Sequence, residues 1–276
     1  MERVSQLFRL IRANVGFSLM VSCMLLCPAP ALASELGRDW TQATSAVVWG
    51  RRWAHNAVVY SGKMWIMGGY DHFGDVWYST DGTSWTRTIE GSRATDYNEY
   101  VAVVFNGRIW TLGADQRMVC YSTDGRTWTR VLPDAPWLPR SYPGAVVHNG
   151  RIWVLGGANW LRWPPVYYND VWSSADGIHW TSVTLRAQWG PRAGHHAVSF
   201  DGRLWVIGGS DLSGVFPNAW CSLDGRTWTR ATSGAPWGYR SGQAVAAVAK
   251  RIWVIAGALE TLSGFARTLA RRLVLP

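Results

Sequence analysis

Aromatic and cationic side chains crowd into "ANWLRWPPVYY" at 158–168, which holds Trp160, Arg162, Trp163, Tyr167 and Tyr168. Flat rings with a guanidinium at their edge suit stacking against the apolar face of a sugar, and Pro164-Pro165 stiffens the segment. The same residues could instead fold back as a lid on the protein's own surface. A second group lies in "ATDYNEY" at 94–100, where Glu99 is one of few glutamates and Tyr97 stands close by. Glu99 is the single candidate general base, or a holder of a sugar hydroxyl; a solvated loop carboxylate is the simpler reading. Arg52, Arg140, Arg192 and Arg240 recur at equivalent places. That regularity favours bonding to backbone or carboxylate between neighbouring units, with anion capture as the alternative. His195 and His196 are adjacent on an expected strand, so their side chains point to opposite faces and cannot share a metal. His55 belongs to a different unit, and neither a metal nor a cofactor is expected. The candidate ligand-binding set is therefore Trp160, Arg162, Trp163, Tyr168, Tyr97, Arg52 and His55.

The elements that must carry these residues announce themselves by repetition. "STDGRTWTR" at 122–130 recurs as "STDGTSWTR" at 79–87, "SADGIHWTS" at 174–182 and "SLDGRTWTR" at 222–230. A second tryptophan recurs at 65, 110, 153, 205 and 253, a spacing of about 43–52 residues that fits a propeller blade. The first unit divides into strands at 55–60, 63–69, 75–80 and 85–88, with Ser61-Gly62 and Asp81-Gly82 as tight turns. The second strand is apolar almost throughout ("MWIMGG", "IWVLGG", "LWVIGG", "IWVIAG"), so both its faces must be buried, as when blades stack. Of 20 tryptophans all but Trp53, Trp160 and Trp163 fall at four recurring positions, which makes indole packing the expected glue between blades.

With these residues in place, the chain resembles the kelch-repeat family of β-propellers, of the type seen in the central domain of galactose oxidase. The carrying residues are Gly68-Gly69, Gly156-Gly157 and Gly208-Gly209, the four upstream arginines, and the spaced aromatics, over about residues 35–257. The resemblance implies four-stranded blades with the first strand innermost. It also implies that the loops joining strands 2 and 3, and those joining strand 4 to the next blade, share one ligand-binding face. The copper site of galactose oxidase has no counterpart set here. The repeated phrase also looks like the Asp-box of sialidases, with one residue fewer between Asp and Trp, and is read as a shared hairpin solution.

The fold class expected is all-β: a kelch-like β-propeller with four complete four-stranded blades plus a fifth incomplete blade built from both termini. The fifth unit runs normally to Gly257, after which "ALETLSGFARTLARRLVLP" at 258–276 shows helical spacing at Leu262, Ala266, Leu269 and Leu273. "GRDWT" at 37–41 matches "GRTWT" at 125–129, so the N-terminal part offers an outermost fourth strand. The third strand has no sequence to make it, as in a truncated or frame-shifted gene.

Arg3, Arg9 and Arg12, the apolar run Phe17 to Leu26 and Ala31-Leu32-Ala33 read as a secretory signal at 1–33, cut after Ala33. The rival is a lipoprotein cut before Cys23. The propeller then spans 34–257 and an atypical tail 258–276. Three arginines and one glutamate leave with the signal, taking the net charge from +9 to +7. A basic exported chain suits anionic glycans or envelopes; nucleic acid is not expected, nor is a membrane span after cleavage. Cys120 and Cys221 fall on third strands of non-neighbouring units, too far apart for a disulfide, so two free and largely buried thiols are expected. The leading function is a monomeric binding scaffold for a glycan or envelope protein on the loop face. A sugar-modifying enzyme of epimerase or lyase type, and an inactive truncated propeller, are the alternatives.

Overall fold

The computed structural model describes residues 42–45, 47–50, 52–69, 74–89, 100–113, 117–235, 238, 240–248, 250–255 and 258–259. Blade 1 is β1 (Asn56–Tyr60), β2 (Lys63–Met67), β3 (Val76–Ser79) and β4 (Thr86–Ile89). Blade 2 is β5 (Tyr100–Phe105), β6 (Arg108–Gly113), β7 (Met118–Ser122) and β8 (Thr129–Leu132). Blade 3 is β9 (Gly144–His148), β10 (Arg151–Asn159), β11 (Val166–Ser174) and β12 (Trp180–Thr184). Blade 4 is β13 (His196–Phe200), β14 (Arg203–Ile207), β17 (Ala219–Ser222) and β18 (Thr229–Thr232). The short hairpin β15 (Ser210–Asp211) and β16 (Gly214–Val215) is inserted between its second and third strands. Every blade is an antiparallel meander in chain order. The first strands lie side by side in succession, β1 by β5, β5 by β9 and β9 by β13, so they are innermost and the blades radiate from them. The protein is a β-propeller with four four-stranded blades.

A fifth unit begins in the expected way. β20 (Ala244–Val248) pairs with β21 (Arg251–Ile255) and lies beside β13. β19 (Arg240–Ser241) pairs with β22 (Ala258–Leu259). The proposed outer strand at 37–41 lies outside the described residues, as do the signal segment and residues 260–276. The first two residues of the tail are therefore extended, in β22.

The second strands explain why the blades stack. Ile66, Met67, Ile109, Leu112, Ile152, Val154, Leu155 and Leu204 are fully buried. Each of these strands is sandwiched between its own sheet neighbours and the next blade, so neither face can be polar. The central tryptophan donates its indole N–H to the last carbonyl of strand 1: Trp65 to Tyr60, Trp110 to Phe105, Trp153 to His148 and Trp205 to Phe200. Its ring then reaches the next blade. A Cβ placed on Gly125 would lie 2.0 Å from Trp65, on Gly177 2.4 Å from Trp110, and on Gly225 2.2 Å from Trp153. Only glycine leaves room for an indole to lie flat there. Burying each ring contributes roughly 4 kcal/mol, from about 150 Å² at 25 cal/mol per Å².

The repeated Asp-Gly segment is not the two-residue tight hairpin its sequence suggests. Strand 3 of blade 2 ends at Ser122 and strand 4 begins at Thr129, and the loop between them is wired by two side chains. Ser122 Oγ accepts from the amides of Asp124 and Gly125, while Asp124 Oδ1 accepts from those of Arg126 and Thr127. Blades 1, 3 and 4 repeat this network on Ser79 and Asp81, Ser174 and Asp176, Ser222 and Asp224. The amide of Thr227 holds the Asp224 carboxyl below the usual range against the opposing effect of burial, as the amide of Ser84 does for Asp81. These aspartates are spent on backbone. The thiols are free as expected; Cys120 is buried and Cys221 half-buried.

Candidate ligand-binding face

The linkers between blades and the loops joining strands 2 and 3 come together on one face. Ser141 bridges to Ala158, and Ala193 to Ser210, in both cases tying a linker to the outgoing end of a second strand. The same tie recurs as β19 on β22.

The repeated arginines hold these linkers down. Arg52 donates through Nη1 to the Gly68 carbonyl (2.9 Å) and Asp75 Oδ1 (2.5 Å), and through Nη2 to Asp75 Oδ2 (2.8 Å). Its Nε and Nη2 also reach the Trp49 carbonyl. Arg140 makes the same fork to Asp170 (2.6 and 2.7 Å) and bonds the Gly156 carbonyl. Both guanidiniums are buried, so the bidentate geometry is what makes the burial tolerable. The Arg52 and Arg140 side chains work within their own linker and blade and not between blades, whereas the Arg192 backbone bonds Gly157 and Tyr168 of the preceding blade. Backbone Arg240 lies in β19. Spacing alone exposed the arginines; the aspartates, which open the recurrent "DVW" at 75–77 and 170–172, form the other half of the pair.

Three residues ahead of Arg52, Arg140 and Arg192 stands a tryptophan whose ring meets edge-on the outer tryptophan of the blade that follows. Trp49 meets Trp85 at 5.8 Å, Trp137 meets Trp180 at 4.7 Å and Trp189 meets Trp228 at 5.9 Å. His55 and His195 lie against Trp49 and Trp189. Burial, and then the charge of Arg52, lowers the His55 pKa to about 4. Burial, and then Arg192, lowers that of His195 to about 3, and burial lowers that of His196 to about 4. All three are neutral imidazoles at physiological pH. His195 is wedged between Gly144 and Gly156, where a Cβ would approach its ring within 2.7 and 3.0 Å. Tyr100 is buried as well, and burial pushes its phenol well above the usual value. Tyr97 and Glu99 lie outside the described residues. Among the described residues no three His, Cys, Asp or Glu side chains gather as a metal ion would need.

The most prominent feature of the face is the hairpin of β10 and β11. After a register shift between Leu155 and Gly157 the pairing continues through Gly157–Tyr168, Ala158–Tyr167 and Asn159–Val166, leaving 160–165 as the tip. Asn159 Oδ1 accepts the Leu161 amide and so fixes the start of the tip (2.9 Å). Here the aromatic set divides. Trp160 packs edge-on against Tyr167, with ring centroids 5.5 Å apart. Tyr168 lies under the Arg140 guanidinium at 4.8 Å. Trp163 is 74 % exposed, with Leu161 at 68 % beside Arg162 and with Val166 at 40 %. The segment therefore both packs and presents: Trp160, Tyr167 and Tyr168 form the base, while Leu161, Arg162 and Trp163 form the outward surface. Trp53, on the linker before β1, is 40 % exposed.

The family model described as DUF6242 beta propeller domain matches residues 31–271. None of the curated proteins matches the sequence. Among solved structures, the one titled "Structure of YjhT" superposes with a TM-score of 0.62 at 12 % sequence identity, covering 71 % of this chain and 70 % of that one. At that identity the likeness concerns the fold alone.

Proposed function

Because the chain belongs to the DUF6242 beta propeller domain family, we propose that it is an exported propeller of kelch type that binds a glycan or an envelope protein through its linker-and-hairpin face. The observation that carries this reading is Trp163, an indole 74 % exposed at the tip of a hairpin whose base is tied down by strand pairing, by the Trp160–Tyr167 contact and by Arg140 over Tyr168. An exposed indole on a rigid support loses little conformational freedom on binding and offers a flat apolar surface to a sugar ring or an apolar side chain. Arg162 beside it adds a cation suited to anionic partners, in keeping with the net positive charge of the chain. The buried arginine forks serve this role indirectly, by fixing the linkers from which the face is built.

A glycan array and a pull-down from envelope fractions, both run with the protein and with Trp163→Ala, test the reading. Binding that falls at least tenfold in the variant, with an unchanged thermal midpoint, supports it. Binding that persists in Trp163→Ala and in Leu161→Ala moves the ligand away from this hairpin.

A further inference from the structure

The arginine fork departs from its pattern in blade 4. In blades 1 and 3 a carboxylate occupies both outer donors of the guanidinium and also accepts an indole N–H, from Trp77 to Asp75 (2.7 Å) and from Trp172 to Asp170 (2.8 Å). Blade 2 has lost cation and anion together, since Tyr97 stands at the arginine position and Met118 at the aspartate position. Blade 4 keeps Arg192, only 1 % exposed, but places Asn218 where the carboxylate belongs. Asn218 Oδ1 accepts from Arg192 Nη1 (2.9 Å) and Trp220 Nε1 (3.2 Å), which fixes the amide with its Nδ2 turned the other way. Arg192 Nε bonds the Gly190 carbonyl and Nη1 that of Gly208. Among the described residues neither Arg192 Nη2 nor Asn218 Nδ2 has a hydrogen-bond acceptor, whereas Nη2 of Arg52 and of Arg140 is taken by the second carboxylate oxygen.

The nearest candidate for a substitute counter-ion is held elsewhere. The charge of Asp211 is felt at Arg192, but its Oδ1 is engaged by the amide (2.7 Å) and hydroxyl (2.6 Å) of Ser213 in its own turn, and the two side chains form no ion pair. Phe216 lies 4.3 Å from the guanidinium and Trp189 5.9 Å, so the cation is framed by ring faces. Burial lowers the Arg192 pKa to about 10 despite Asp211, as expected of a guanidinium short of negative charge. Asn218 is half-buried, whereas Asp75 and Asp170 are buried, so the open side of the fork lies nearer to solvent in blade 4.

We propose that Arg192 Nη2 and Asn218 Nδ2 form a binding site for a small oxyanion of the carboxylate type, which supplies from solution the negative charge that Asp75 and Asp170 supply in blades 1 and 3. The site lies apart from the Trp163 tip, although the Arg192 backbone bonds the base of that hairpin at Gly157 and Tyr168.

The test is thermal unfolding of the full chain at constant ionic strength, with acetate exchanged for chloride. The wild-type midpoint should rise by about 2–4 °C as the site fills. Asn218→Asp, which restores the fork of blades 1 and 3, should start higher and show no acetate response. A wild-type midpoint indifferent to acetate, or a variant that keeps the full response, overturns the proposal. Saturation-transfer NMR from the wild-type protein to the acetate methyl group checks the site without any variant. Transfer that phosphate competes away supports it, and no transfer overturns it.

Discussion

At the scale of single residues, the decisive groups are charged or polar side chains buried with specific partners. Asp170 accepts two bonds from a guanidinium that has no exposure, together with one from an indole. Asp170→Ala strands Arg140 and should cost about 3–5 kcal/mol in a urea unfolding curve. Asp170→Asn should cost clearly less, because blade 4 already accommodates an amide at that place. The buried imidazoles set the acid limit. His195 has a folded pKa of about 3 against about 6.5 when unfolded, so the unfolded chain takes up the proton first. Stability is therefore complete above pH 6.5 and declines as the pH falls from there toward 3, by up to about 1.4 kcal/mol per pH unit for this group. His55 and His196 act in the same direction. Denaturation midpoints measured from pH 8 to pH 5 should show the decline, and His195→Asn should flatten it. Residue types alone revealed the arginines and histidines, but whether each faces a ligand or the interior depends on distant partners such as Asp75 and Gly144.

At the scale of the element, two hairpins with similar turn composition carry different weight. The loop between strands 3 and 4 seats its glycine under an indole of the neighbouring blade. Gly177→Ala would bring a methyl within 2.4 Å of Trp110 at a φ of +80°, and should destabilise by about 2–4 kcal/mol. Gly107 has a comparable φ of +66° but nothing within 4 Å, so Gly107→Ala should cost only about 1 kcal/mol in the same equilibrium unfolding measurement. Trp163→Ala, at the tip between β10 and β11, should leave stability within about 0.5 kcal/mol, while Trp65→Ala should cost about 3–5 kcal/mol. Strand positions were legible because alternation, turn residues and repetition agree. In the first unit the expected 55–60 and 63–69 became β1 and β2 with only their ends trimmed. The division of Trp160, Trp163 and Tyr168 into packed and presented residues was not legible, because one segment's composition suits both roles and the register shift at Gly157 decides which side chain faces out.

At the scale of the whole molecule, the main strand contacts among the described residues run between successive blades, so cohesion is assembled pair by pair as in other repeat proteins. β10 is paired on both sides and buried on both faces, whereas among the described residues no strand covers the outer edge of β21. Amide hydrogen exchange should accordingly be slowest in β10 and fastest in β20 and β21, and uniform protection would contradict a series of nearest-neighbour contacts. The four complete blades were legible from the spacing of a single tryptophan. The arrangement around the fifth unit was not, since the segments expected to complete it lie outside the described residues.

The seating of glycine under indole also has a direction. Trp65, Trp110 and Trp153 are each capped by the hairpin that follows them in the chain, never by one that precedes them, and they are at most 6 % exposed; Trp205, the next in line, is half-buried. A ribosome that delivers the chain from its N-terminus thus always leaves the most recently made wedge with a greasy ring awaiting its cover. The risk of aggregation during synthesis travels along the nascent protein one wedge at a time.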